Sequence, residues 1–112
     1  MEFIDGVLTK EEILKLQKVY GDYVKLTVDL EKEGVVVGSE LHADGEKILL
    51  ERGGRQDNIW GGGINFESKQ VDTTAVLNLR PRLGNDSLEI LDSQRRERFI
   101  RVVKKYFANL WC

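Results

Sequence analysis

Glu40-Leu41-His42-Ala43-Asp44 sets a carboxylate, an imidazole and a second carboxylate at alternate positions. On a strand, residues 40, 42 and 44 would project from one face. Such a set can hold a divalent cation or move protons. His42 is the chain's single histidine, so no two-imidazole metal site can form within one chain. From residue 40 to 44 a strand covers about 13 Å at ~3.3 Å per residue. That is too far for three groups to share one ion unless the turn bends Asp44 back, and neither a metal nor a cofactor is expected. The ordinary alternative is a polar strand face with Asp44 serving the turn.

Arg80-Pro81-Arg82-Leu83-Gly84-Asn85 is the second candidate. Paired arginines beside a glycine turn can grip a phosphate or carboxylate through bidentate and backbone N–H hydrogen bonds. No lysine and helix start follow as in a Walker loop. The alternative is pairing with the chain's own acids. Few acids lie close in sequence, so one arginine is expected to remain available to an anion. Trp60-Gly61-Gly62-Gly63 places a large aromatic beside bare backbone. That suits stacking on a planar ligand, or a core tryptophan next to a bulge. Asn65 and Asn78 lie on the strands that would carry these groups to one surface.

The stretch from Val71 to Asn85 would organise that surface. Val71, Thr73, Ala75, Leu77 and Leu79 alternate with polar residues, which predicts a strand over 71–80 that Pro81 ends. Tyr23 to Leu30 alternates in the same way, and Val35 begins a returning strand that continues to about Leu41. Asp44-Gly45 is a hairpin signal that favours a third strand over 46–51. The competing possibility is a short helix over 45–52 with Asp44 as its cap and Gly53 after its end. Ile59 to Phe66 reads as a strand interrupted by glycines. Thr9 and Glu12 form a capping box for a helix over 10–20 ended by Gly21, with Leu8 and Ile13 as its staple. A last helix starts near Asp92 or Ser93 and runs to about Asn109; Phe99, Val103, Tyr106 and Phe107 form its apolar stripe.

A chain of 112 residues makes one domain, 1–112, with one core. At 41% hydrophobic and 32% charged it is globular rather than disordered. No apolar run reaches the ~18 residues of a membrane span, and the first residues do not resemble a signal peptide. One cysteine, Cys112, excludes a disulfide scaffold and fits a reducing cytoplasm. Residues 93–112 hold six cations against Glu97, a surplus of five; with −2 overall, the rest of the chain carries −7. Arg98, Arg101, Lys104 and Lys105 share one face of the last helix. A solvated face explains them, and no nucleic-acid motif, aromatic platform or basic net charge argues for nucleic acid.

Across most of its length the chain resembles a family of small uncharacterised prokaryotic proteins of unknown function. The shared phrases are Val28-Asp29, Gly38-Ser39-Glu40-Leu41-His42-Ala43-Asp44, Leu49-Leu50-Glu51, Gln56, Trp60-Gly61, Asn65, and Asn78-Leu79-Arg80-Pro81 with Gly84-Asn85. The chain departs from that pattern in its three glycines after Trp60 and in Gly54, where a serine is expected. The resemblance implies no activity; it implies that the polar phrases share one surface.

The expected architecture is a single two-layer α+β domain: an antiparallel meander of four or five strands with the N- and C-terminal helices on one face. The expected role is a ligand- or anion-binding or regulatory module built from Glu40, His42, Asp44, Trp60, Asn65, Asn78, Arg80 and Arg82. Its partner would be a small anionic ligand, not a membrane. The alternatives are a small enzyme with His42 as acid–base and Arg80 holding an anionic substrate, or a protein or nucleic-acid interaction domain using the basic helix.

Overall fold

A computed structural model of the chain describes residues 1–111; Cys112, which carried the expectation about the redox compartment, lies outside them. Five strands form one sheet: β1 (Glu2–Ile4), β2 (Tyr23–Asp29), β3 (Val35–Val37), β4 (Ile59–Asn65) and β5 (Gln70–Asp72). Their order is β1-β3-β2-β4-β5, and every neighbouring pair is antiparallel. Three helices accompany them: α1 (Lys10–Tyr20), α2 (His42–Glu51) and α3 (Ser93–Tyr106). The α+β class and the antiparallel sheet are those expected from the sequence.

The helix signals of α1 work as chemistry dictates. The Thr9 hydroxyl accepts from Glu12 N at 3.1 Å and Glu12 accepts from Thr9 N at 3.0 Å. Gly21, at φ 79° and ψ −145°, ends the helix in a positive-φ conformation that favours glycine and donates to Gln17 O. Val24, Leu26 and Val28 of β2 then meet Ile13 and Leu16 of α1 and Phe99, Val102, Val103 and Tyr106 of α3 in the main core. Both terminal helices therefore cover the same sheet face.

Several expectations are corrected. The returning strand from Val35 ends at Val37 rather than near Leu41. Residues 46–51 are helical, not a strand, and the helix begins at His42. Gly45 is not a hairpin glycine: a Cβ there would come 2.5 Å from Thr27 Oγ1 and 2.8 Å from Thr27 Cβ. The glycine lets α2 lie directly on β2, on the face away from α1 and α3, so helices cover both faces of the sheet where two layers were expected. Leu49 packs there with Val36 and Ile59 in a second apolar cluster. Gly53, at φ 91°, follows the end of this helix and donates to Leu50 O.

The strand expected over 71–80 stops at Asp72. The Asp72 carboxylate accepts from Thr74 N at 2.9 Å and turns the chain out of the ladder. Thr74 bridges to Glu89 instead, and short 3-10 turns follow over 76–78 and 81–83. The three glycines produce no bulge: β2 and β4 stay in register from Tyr23 opposite Asn65 to Asp29 opposite Ile59.

Candidate functional site

The sheet face under α2 is floored by Lys25 and Thr27 of β2 and by Gly61 and Gly63 of β4, paired across the ladder. The glycines leave bare backbone, so other elements descend onto it. A Cβ on Gly61 would lie 2.8 Å from both Ala75 Cβ and His42 Cδ2. One on Gly63 would overlap the Tyr23 hydroxyl, at 2.1 Å. The first turn of α2 and the 75–77 segment therefore stand on either side of Gly61. Between them is a cleft of about 450 Å³ lined by Lys25, Leu41, His42, Ala43, Ala75, Val76 and Leu77. Only Lys25 and His42 among these bring polar side chains.

His42 is keyed to the sheet through Nε2, 2.8 Å from Gly62 O. A carbonyl only accepts, so Nε2 carries the proton and the neutral ring has its lone pair on Nδ1. Burial holds the His42 pKa below the ordinary imidazole value; the Gly62 bond opposes this, the Lys25 charge adds to it and Asp72 opposes it. Lys25 Nζ donates to Glu40 O. At the near edge the Tyr23 hydroxyl donates to Asp72 Oδ2 at 2.9 Å. Burial first, then the Asp72 carboxylate, push the Tyr23 phenol well above its ordinary value, so it remains a donor.

A pH effect follows from His42. The folded ring binds its proton less readily than the unfolded one, so below about 6.5 the unfolded state carries more protons. The His42 contribution is intact above that value and is lost as pH falls below it. Urea midpoints of wild type and His42→Gln should converge on acidification through that window; parallel curves would show that His42 titrates normally.

The other candidates are dispersed. Glu40 precedes α2 and Asp44 sits in its first turn, both exposed, so 40, 42 and 44 share no strand face. Trp60 is fully buried, donates from Nε1 to Asp57 O, and has the Arg80 and Arg95 guanidinium groups 4.9 and 5.0 Å from its ring. Asn65 Oδ1 accepts from Glu67 N and Ser68 N and fixes the β4–β5 turn. Asn78 is fully buried; its amide bonds both Gly61 N and Gly61 O, at 2.8 and 2.9 Å. Asn85, equally buried, donates to the carbonyls of Asn78, Ser87 and Glu89.

Both arginines of the loop are engaged, which corrects the expectation that one stays available. Arg80 is buried and reaches Glu46 Oε2 and Gln56 O, each at 2.9 Å. Burial lowers its pKa, and the Glu46 charge offsets only part of that shift. Arg82 meets Asp57 Oδ1 at 2.8 Å, and that bond lowers the Asp57 pKa. Among the described residues, no group of three or more His, Cys, Asp or Glu side chains gathers to hold a metal ion.

Sequence reasoning missed Lys25, Ala75, Val76 and Leu77 as cleft residues. The signal was present in the glycines: bare positions beside a lysine mark where another element or a ligand comes close. No curated protein and no solved structure matches the chain. The family described as Protein of unknown function (DUF5674) matches residues 2–106, from β1 to the end of α3, and the chain belongs to that family.

Proposed function

We propose that this protein is a small-ligand-binding module, acting as one domain, whose site is the cleft between the first turn of α2 and residues 75–77. One observation supports it above the rest: the cleft is apolar except for one imidazole and one ammonium. At about 450 Å³ it falls within the ~300–1,000 Å³ of small-molecule sites, which pair apolar walls with few polar groups. Leu41 and Val76, 63% and 76% exposed, are large apolar side chains on its lining. Asn78, bonded to Gly61 of the floor, serves as its frame; Trp60, Asn65, Arg80 and Arg82 lie outside its lining. A reducing, cytoplasmic setting belongs to the same proposal; it is supported by a single cysteine in 112 residues. No helix among the described residues is long and apolar enough to cross a membrane.

The test is an amide NMR titration with phenol, indole and butanol, neutral probes of apolar clefts. Shifts should concentrate at residues 25, 41–43 and 75–77. The exposed pair Leu41→Ala and Val76→Ala together should weaken binding by about fivefold or more through lost apolar contact. Shifts confined instead to the cleft lined by Leu30, Arg98, Arg101 and Val102 would refute the assignment.

A further inference from the structure

The charges around the cleft narrow what it accepts, given that the cleft is the site. Among the described residues Lys25 forms no ion pair; its ammonium donates to a neutral carbonyl, Glu40 O. It is the one cation on a lining whose other walls are Leu41, Ala43, Ala75, Val76 and Leu77. His42 adds no charge at neutral pH, because the fold favours its neutral form. One carboxylate acts on the lining: the Asp72 charge is felt at His42, while Glu40 and Asp44 flank residues 41–43 in sequence and are exposed.

We infer that the cleft binds an amphipathic monocarboxylate, its carboxylate on the Lys25 ammonium and a small ring or short alkyl body against Leu41, Ala75, Val76 and Leu77. Each competing class meets a physical objection. A neutral apolar ligand would desolvate Lys25 and return nothing to it. An amine would face the ammonium directly. A phosphate dianion would set two negative charges against one cation, with the Asp72 carboxylate acting on the neighbouring His42, where like charges oppose binding. A single carboxylate neutralises the single lysine and leaves the apolar walls to the rest of the molecule. A ligand of this size also suits a cleft in the lower half of the usual volume range.

The test compares phenylacetate, phenethyl alcohol, phenethylamine and inorganic phosphate by amide NMR titration. Phenylacetate should move residues 25, 41–43 and 75–77 and bind about tenfold more tightly than the alcohol. The amine should be the weakest of the three aromatic probes, and phosphate should leave these amides unmoved. Lys25→Met should erase the preference for the acid while the alcohol still binds. Val76→Asp, at an exposed position where the fold has little at stake, should weaken phenylacetate more than the alcohol. Equal binding of acid and alcohol to the wild type, or displacement of phenylacetate by phosphate, would overturn the ligand class and leave the cleft as the site. Silence of these amides to all four probes would overturn the class and the cleft together.

Discussion

Asn78→Leu is expected to lower the thermal midpoint by about 8 °C or more. The volumes are similar, so the effect is one of hydrogen bonding. Asn78 is fully buried, and its amide stands where the next residues of β5 would pair with Gly61. It also donates to Thr73 O and Leu88 O, at 3.2 and 3.0 Å. Leucine would orphan Gly61 N–H and Gly61 O at ~1–3 kcal/mol each, while Thr73 O and Leu88 O would keep their bonds from Ile90 N and Ala75 N. A total of ~2–6 kcal/mol is a large share of the ~5–15 kcal/mol that holds a domain together. At ~4–8 °C per kcal/mol for a chain of this size, the stated shift follows. Asn78→Asp keeps the shape but loses the donor and turns a carboxylate toward carbonyl oxygens, so it should fare no better. Circular-dichroism melts decide it: a cooperative transition within a few degrees of wild type for either variant would show that the amide does not hold the sheet edge.

Gly62→Ala should cost ~3 kcal/mol or more, the upper end of overpacking penalties. A Cβ there would lie 2.1 Å from Asp72 O and 2.7 Å from Phe99 Cζ. One obstacle is backbone in the neighbouring strand; the other is a fully buried ring. Neither can retreat without breaking the β4–β5 ladder or the main core. Gly63→Ala offers the contrast. Its Cβ would strike the Tyr23 hydroxyl, the end of a side chain that can swing away at the loss of its bond to Asp72. Urea unfolding should therefore rank Gly62→Ala well below Gly63→Ala in stability. Equal values, or a Gly62→Ala loss under ~1 kcal/mol, would contradict the packing described.

The parts of the fold that were legible in the sequence are those in which local signals and tertiary structure agree. The capping box of α1, the alternation of β2 and the stripe of α3 each state one structure in two ways. α2 is different. Its N-cap is Leu41, which gives no side-chain acceptor, and its first turns contain Asp44-Gly45. The local signal there favours a turn; contact with Thr27 overrules it, because only glycine lets a helix come that near. The segment after Val71 teaches a second lesson. Thr73 and Ala75 are buried and Val76 is exposed, as an alternating strand requires, but past Leu77 the phase inverts, with Asn78 and Arg80 buried and Leu79 exposed, and no ladder runs past Asp72. Once the ladder ends, period-two patterning no longer reports which side a residue faces. The same limit governs the site. Asn78 and Arg80 were recognisable as unusual polar residues, but the sequence does not distinguish a polar group kept for a ligand from one spent on Gly61 or Glu46.

The most direct test of the cleft as binding site is a set of intermolecular NOEs from bound phenylacetate to methyl-labelled protein. The account predicts cross-peaks to the methyl groups of Leu41, Ala75, Val76 and Leu77 and to the ring protons of His42. Cross-peaks found only to Leu30 and Val102, beside Arg98 and Arg101, would place the ligand against the basic helix and contradict it.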